Sequence, residues 1–252
     1  MKSIKKFLYL ILSEYGYLKM MHRGFFLLYR LGWLKKDARF KYHYMIQNIV
    51  EQDDVVLDIG ANLGYFSKTF AELTPKGKLI SIEPIPLFYK VLSKFLKKYP
   101  QVTIYNVALG KENGTVAMAL PETNGMMRTG LPHVVESTSE HKTQQVNIVK
   151  GTELLSDLNR LDYIKCDIEG FEKIVMEEIK PILEKYQPYI QIELAEKNQE
   201  AMILFYNELG YTQFGISKNQ FIEEKGNQAE EGDFFFVPKN KLDQFKKKFN
   251  LA

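Results

Sequence analysis

The chain has 252 residues, with 34 Lys and Arg against 31 Asp and Glu, and a single cysteine. That length suits one α/β core with an appended segment, and a net charge of +3 gives no reason to expect a nucleic-acid partner. The lone Cys166 excludes an intrachain disulfide framework and a multi-cysteine zinc site; it reads as a strand core residue in a reducing, cytoplasmic setting. Charge is unevenly spread: residues 1–48 hold ten basic and two acidic side chains (+8), the rest 24 basic and 29 acidic (−5).

The first segment, Lys2 to Lys36, sets Phe7-Leu8-Tyr9-Leu10-Ile11-Leu12 among lysines. This run is shorter than the roughly seven to fifteen residues of a secretory signal core, and no small-x-small cleavage site follows. A second run, Gly24 to Tyr29, is cut by Arg30, so neither approaches the ~18–20 apolar residues of a transmembrane helix. The pattern predicts two short amphipathic helices within an N-terminal helical cap, residues 1–50, packed on the core and over a ligand mouth. Peripheral contact of residues 1–36 with the anionic inner face of a membrane is the alternative. His22 and His43 in this cap read as packed or solvated.

Residues 51–240 alternate apolar runs with helical patterns, the signature of a parallel sheet wrapped by helices. Strands are expected near 55–59, 78–83, 102–106, 161–167 and 189–194, with helices near 64–73, 86–98, 171–185 and 198–209. Beyond Gly210, Tyr211 to Ile216 and Asp233 to Pro238 suit an antiparallel pair. The result is a Rossmann-like α/β fold: a mostly parallel seven-stranded sheet with an antiparallel last strand and helices on both faces. An insertion over 115–149 contains a hairpin of Thr115 to Leu120 with Gln145 to Val149 around the polar loop Pro121 to Gln144. The end, 241–252, reads as a basic helix or tail with a solvated face.

The most informative stretch is Val55 to Ser67, an apolar strand joined to a helix through the acidic, glycine-containing turn Asp58-Ile59-Gly60-Ala61-Asn62-Leu63-Gly64. In open α/β sheets the ligand crevice lies at such a strand end. Gly60 and Gly64 permit close backbone approach, and free amides are expected where the helix begins near Asn62 to Tyr65. A dinucleotide-binding G-x-G-x-x-G needs glycine where Asn62 stands, so the turn suits a ligand without pyrophosphate, such as S-adenosylmethionine, whose ammonium would be drawn to Asp58. Glu83 ends the second strand, Lys78 to Glu83, at the spacing of the acid that takes ribose hydroxyls; its charge repels a 2′-phosphate. Tyr65 and Phe66 read as helix-packing residues.

The second motif, Leu161 to Glu172, brings Asp167, Glu169 and Glu172 to the same sheet edge. Strand alternation puts Tyr163, Lys165 and Asp167 on one face, so Lys165 neutralises Asp167. Three acids exceed what capping of the next helix requires, although capping is open to each. Glu193 ends the fifth strand on this edge, as a pocket residue or simply a strand end. His133 and His141, with Glu136 and Glu140, read as solvated loop residues, a base or a divalent-metal site being the lesser alternatives; no metal is expected.

These residues resemble the FkbM-type methyltransferases, S-adenosylmethionine-dependent enzymes of the class I methyltransferase fold. The similarity runs from about Val55 to Pro238. It rests on Asp58 to Gly64, Ser81-Ile82-Glu83-Pro84, Asn106-Val107-Ala108-Leu109-Gly110, Lys165 to Glu172, Ile192-Glu193-Leu194, and Gly210-Tyr211 before the last strands. The resemblance implies cofactor binding by Asp58, Gly60, Ala61, Asn62, Gly64, Glu83 and Pro84, with Asn106, Val107 and Ala108 near the adenine. It also implies a methyl-transfer site bordered by Lys165, Asp167 and Glu169, and acceptors that are hydroxyl groups of sugars or secondary metabolites. Lys97-Lys98 departs from the family's frequent asparagine, on a helix remote from the crevice. Residues 1–50 and 121–144 lie outside the resemblance, so the substrate pocket is not inherited.

The expected activity is O-methylation of a small-molecule or glycan acceptor, in which a carboxylate such as Asp167 or Glu169 orients or deprotonates the hydroxyl. Methylation of nitrogen is a rival; the nucleic-acid amino-methyltransferases would carry an Asn- or Asp-Pro-Pro-aromatic turn, and the acidic Asp167 to Gly170 turn repels phosphates. A non-catalytic membrane-surface module retaining the fold is the rival of another class. Oligomeric state is open.

Overall fold

The computed structural model describes residues 9, 11–123, 126–127, 133–135, 142–217, 220–224 and 233–251. Its main sheet has eight strands: β1 (Val55–Ile59), β2 (Lys78–Ile82), β3 (Val102–Tyr105), β10 (Tyr163–Cys166), β11 (Tyr189–Glu193), β12 (Tyr211–Ser217), β13 (Gln220–Glu223) and β14 (Asp233–Pro238). Their order is β13-β12-β14-β11-β10-β1-β2-β3. Strands β3, β2, β1, β10 and β11 run parallel, and β14 enters antiparallel between β11 and β12.

The central strands are largely buried on both faces and read as apolar runs broken by Asp58, Lys165, Gln191 and Glu193. Leu57, Ile59, Ile164 and Cys166 face one core, Val56, Tyr163 and Phe235 the other, and helices cover both. Sheet order reverses between β1 and β10, and the turns leaving their C-terminal ends meet there.

Four expectations need correction. The main sheet has eight strands, because Gln220–Glu223 pairs antiparallel with β12 and buries Phe221 inside a stretch that reads as polar loop. The helix expected over 171–185 is two, Glu172–Glu178 and Lys180–Tyr186, since Pro181 has no amide to continue the first. The C-terminal helix Leu242–Phe249 is no wholly solvated tail: Phe245 is 1% exposed and packs on Phe214, Phe221 and Phe235. The second apolar run of the N-terminal segment belongs to a 17-residue helix, α1 (Glu14–Arg30), rather than a short one. Of the first run, 7–12, residues 7, 8 and 10 lie outside the described residues.

Helix α1 begins at Ser13, whose hydroxyl accepts from the Gly16 amide, and buries Tyr17, Leu18, His22 and Phe26. These residues pack over Leu63 and the helix Pro86–Leu96. The His22 ring lies on Phe95 with centroids 3.7 Å apart, and its Nδ1 is 2.9 Å from the Leu63 carbonyl, which calls for an N–H on that nitrogen. The chain then turns through a short helix, α2 (Lys41–Met45), before β1.

A second sheet, in the order β4 (Ala108–Gly110), β9 (Thr143–Lys150), β5 (Gly114–Ala119) and β8 (His133–Val135), fills the interval between β3 and β10. Its hairpin of β5 (Gly114–Ala119) with β9 (Thr143–Lys150) is the one expected, in register from Gly114↔Ile148 to Ala119↔Thr143. Met118 of β5 and Val134 of β8 (His133–Val135) reach over the end of the main sheet. His133 therefore sits in this sheet, while His141, Glu136 and Glu140 lie outside the described residues.

Candidate functional site

Backbone geometry explains the residue choice in the turn after β1. Gly60, Asn62 and Gly64 have φ of 77°, 52° and 87°, in the left-handed region. A Cβ on Gly60 would lie 2.0 Å from the Asp167 carbonyl oxygen, so the β1 and β10 turns meet this closely only with glycine there. The free amides expected in this turn are not free. Gly60 and Ala61 donate to the Ile82 carbonyl (3.0 and 2.9 Å), Asn62 to Glu83 Oε2 (2.7 Å), Leu63 to Asn62 Oδ1 (2.7 Å), and Gly64 to the Ala61 carbonyl (2.8 Å). The turn folds back onto the end of β2, which satisfies its donors internally.

Glu83 is the hub of that arrangement. Its carboxyl is 4% exposed and takes the Asn62 amide on one oxygen and the Ile85 amide (2.8 Å) on the other. Burial pushes its pKa up to about 7 against those two hydrogen bonds. Asn106 donates from its side chain to the carbonyls of Glu83 (2.8 Å) and Pro84 (2.9 Å), fixing the strand end beside it. Gly60, Asn62, Glu83 and Pro84 line a cleft of about 70 Å³ with Asp167 and Glu169. Val107 and Ala108 line an adjoining apolar slot of about 30 Å³ with Ile168 and Phe171. Ala61 and Gly64 are buried behind these clefts, Gly64 against Leu92.

The three acids after β10 have three different surroundings. Glu172 is 1% exposed and accepts the amides of Ile168 (3.2 Å) and Gly170 (2.9 Å), clamping a turn in which Glu169 has φ 54° and Gly170 φ 92°. Glu172 thus holds the turn before its helix, and no side chain caps the helix N-terminus. Asp167 faces Lys165, whose ammonium is 3.2 Å from Asp167 Oδ2, 3.8 Å from Asp58 Oδ1 and 3.3 Å from the Gly60 carbonyl. Burial would lower the Lys165 pKa, but Asp167 and Asp58 outweigh it and hold the ammonium above its usual value. Glu169 is open to the cleft, and partial burial of its carboxyl together with Asp167 and Glu172 raises it to about 7.

Asp58 itself is fully buried behind Gly60. One of its oxygens accepts from Ser67 Oγ (2.5 Å), which in turn accepts from Ser81 Oγ (3.0 Å); the other has only the Lys165 ammonium near it. Burial raises its pKa. Asp58 thus anchors Lys165, an arrangement its strand-end position alone does not reveal.

On the far side of Asp167 a larger cavity of about 430 Å³ opens. Lys165, Gln191, Glu193 and Asp233 supply its sheet side, and Arg39, Tyr42, His43 and Phe66 the opposite wall. Asp167 borders both this cavity and the cleft. Burial, then Asp167, Asp233 and Glu169, push the Glu193 carboxyl up to about 8 although the residue is open to solvent. Glu193 and Asp233 are direct cross-strand partners, which explains their mutual repulsion. Phe66 is a wall residue as well as a packing residue: its ring stacks on His43, centroids 3.7 Å apart, and lies 5.4 Å from the Lys165 ammonium. Of this wall, Tyr42 and His43 carry no motif signal, because their place depends on how the segment before β1 folds back. Among the described residues no group of three or more His, Cys, Asp and Glu is placed to hold a metal ion.

The profile of the methyltransferase FkbM domain matches residues 58–212, from Asp58 in β1 to Thr212 in β12. The 2-O-methyltransferase NoeI of Sinorhizobium fredii is 30% identical over 86 residues, 34% of this chain and 35% of that protein. Methyltransferase 1 of Beauveria bassiana is 22% identical over 143 residues, 49% of this chain and 57% of that one. The crystal structure of a methyltransferase FkbM from Methylobacillus flagellatus shares the fold with a TM-score of 0.50 at 14% identity, over 74% of this chain and 44% of that chain. The chain spans less than two thirds of each of these relatives. Its sheet is that of the class I methyltransferase-like α/β fold. Because the profile covers more than half of the chain and takes in both turns, Glu83 and the acids after β10, the chain belongs to the methyltransferase FkbM domain family.

Proposed function

We propose that the protein transfers the methyl group of S-adenosylmethionine to a hydroxyl of a small-molecule or glycan acceptor. The observation that carries this reading is the position of Asp167, the residue shared by a nucleoside-side cleft and a wider cavity. The cleft has the right chemistry for the cofactor. A buried carboxyl, Glu83, stands where ribose hydroxyls need an acceptor, and Val107, Ala108, Ile168 and Phe171 form an apolar slot for a base. At about 70 and 30 Å³ the two clefts are narrow, so binding widens them, with Met118 and Ile168, which border both, as the side chains that move. The cofactor supplies an electrophilic methyl group.

The chain's own residues supply position and proton management. Asp167 accepts the acceptor's hydroxyl proton and aims its oxygen at the cleft, while Lys165, held by Asp58, fixes the position of the Asp167 carboxylate. Glu169, raised to about 7, borders the same edge and serves as the second orienting carboxyl. The test is calorimetric titration with S-adenosylhomocysteine, with NAD as control. Micromolar binding weakened by Glu83→Ala is expected; absence of binding to the wild type would remove the reading.

A second reading concerns where the protein works. Four of the six large apolar side chains exposed among the described residues lie between Ile11 and Trp33. Leu27, Leu31 and Trp33 are 61%, 54% and 71% exposed, with Arg23, Lys35 and Lys36 exposed alongside. Apolar and basic side chains together suit the surface of an anionic bilayer. No helix among the described residues is long and apolar enough to cross one. Co-sedimentation with anionic vesicles should fall for Trp33→Ser with Leu31→Ser and with added salt; unchanged binding would reject this surface.

A further inference from the structure

On the sheet side of the larger cavity, Lys165, Gln191, Glu193 and Asp233 rise from one face of the adjoining strands β10, β11 and β14. The Glu193 carboxyl is open to solvent and makes no hydrogen bond or ion pair among the described residues. Both cations that line the cavity are already engaged: Lys165 by Asp167 at 3.2 Å and Asp58 at 3.8 Å, Arg39 by Asp37 at 3.0 Å through Nε and 2.6 Å through Nη2. Burial, reinforced by Lys165, lowers the His43 pKa to about 3, so that ring is neutral. Glu193 therefore faces Asp167, Asp233 and Glu169 with Lys165 opposing, and burial followed by these acids holds its carboxyl up at about 8. Such a carboxyl ionises when a cation settles against it.

Gln191, two residues before Glu193, adds an independent feature. It is 4% exposed, its amide oxygen accepts from the Tyr163 hydroxyl (2.9 Å), and its Nε2 has no partner among the described residues. Unlike the Tyr42 hydroxyl and both His43 ring nitrogens, this nitrogen is not sealed from solvent, and the space beside it is the cavity. An amide N–H donates, so it calls for an oxygen on the ligand. The facing wall asks for something else: the polar side-chain atoms of Tyr42 and His43 are sealed, and Phe66 adds a ring stacked on His43. Among the described residues no group of three or more His, Cys, Asp and Glu is placed to hold a metal ion, so a carbon-bearing cation suits the cavity better than a metal.

We infer that the acceptor is an organic amine carrying its reacting hydroxyl on a compact apolar body, with its ammonium on Glu193, an oxygen on the Gln191 amide and its apolar side against Phe66. The inference rests on the methyl-transfer reading for the word acceptor; recognition of the cation stands on the cavity. An amine held as ammonium has no lone pair, so the methyl group goes to oxygen beside Asp167 and the nitrogen is spared. Glu193 is then the residue that selects a cationic acceptor over a neutral or anionic one.

The experiment titrates the protein with three probes of one shape, aminocyclohexanol, cyclohexanediol and hydroxycyclohexanecarboxylate, by NMR and calorimetry, with and without saturating S-adenosylhomocysteine. The wild type is expected to bind the amine at least about tenfold more tightly than the diol, and the carboxylate more weakly than either. At pH 7, calorimetry in buffers of different ionisation enthalpy should show release of up to about one proton per amine bound, as Glu193 ionises. Glu193→Gln should abolish both the preference and the proton release, and Glu193→Asp should recover part of the preference. S-adenosylhomocysteine affinity should stay within about twofold in both variants, and the melting temperature of Glu193→Gln should not fall, since it removes a crowded acid and breaks no bond. If the wild type binds the amine no more tightly than the diol, or binds neither, or if Glu193→Gln keeps the preference, the inference is overturned. Failure of the wild type to bind S-adenosylhomocysteine would instead sink the methyl-transfer reading, and the arm without it would still decide recognition of the cation.

Discussion

The two hollows that meet at Asp167 are built in opposite ways. Around the cleft, short consecutive stretches satisfy one another: the turn amides close onto Ile82 and Glu83, Asn106 ties down Pro84, and Glu172 clamps the next turn. Around the cavity, residues come from α2, the helix after Gly64, β10, β11 and β14, and polar atoms of Tyr42 and His43 are buried with no partner among the described residues. A surface that must hold one invariant ligand can be completed internally and stiffened. The cavity wall is instead assembled by packing between distant segments, as in the His43 ring stacked on Phe66.

The contrast is broken most severely at Gly60. Gly60→Ala places a methyl 2.0 Å from the Asp167 carbonyl at a φ of 77°, so the β1 and β10 turns must part. Loss of measurable S-adenosylhomocysteine binding is expected, with destabilisation of at least about 2 kcal/mol. Calorimetry and urea unfolding check this, and near-wild-type values in both would contradict the packing described.

Asp167→Asn separates the hollows by function. Cofactor-side affinity should remain within about threefold while turnover on an identified acceptor drops about a hundredfold, the usual scale for a lost proton acceptor. Equal losses in both would show that Asp167 belongs to the cleft alone.

A tenfold effect is expected from pH at Glu83. With the free carboxyl at about 7 and ribose hydroxyls needing an ionised acceptor, S-adenosylhomocysteine should bind about ten times more tightly at pH 8 than at pH 6. Glu83→Gln should remove that dependence; a flat wild-type profile would mean that Glu83 does not meet the ligand.

The smallest effect concerns stability of the free chain. Glu83 and Glu169 at about 7 and Glu193 at about 8 are raised in the folded state, so the stability they contribute is present at low pH and lost as pH rises through those values. His22 at about 4 and His43 at about 3 are lowered, so below their ordinary value of 6.5 stability falls as pH falls. The two trends oppose each other below 6.5, and above it only the carboxyls act. Between pH 6.5 and 8, Glu83 alone should remove roughly 1 kcal/mol, seen as a fall in Tm of about 2–4 °C, with Glu169 and Glu193 adding less because solvent screens them. Rising stability over that interval would contradict these shifts.

Much of this was legible in the sequence, and the exceptions share a cause. Five parallel strands, the antiparallel β14, the β5–β9 hairpin and the Lys165–Asp167 pair follow from apolar runs and alternation, which act between near neighbours. The strand Gln220–Glu223 was hidden because Phe221 finds its burial against Phe235, Phe245 and Phe249, supplied from farther along the chain. The same holds for Phe245, whose helix looks like a basic tail until the end of the sheet is beneath it.

For the site, local pattern was enough to find the left-handed turn with Gly60 and Gly64 and the carboxyl of Glu83 at the end of β2, because each lies within a few residues of fixed landmarks. Only the tertiary structure decided that Asp58 faces Lys165 behind the crevice, that Glu172 and not Asp167 clamps the turn, and that Tyr42 and His43 close the cavity. Those are contacts between segments far apart in the chain. Their partners are selected by packing and burial, which no local pattern of residues encodes.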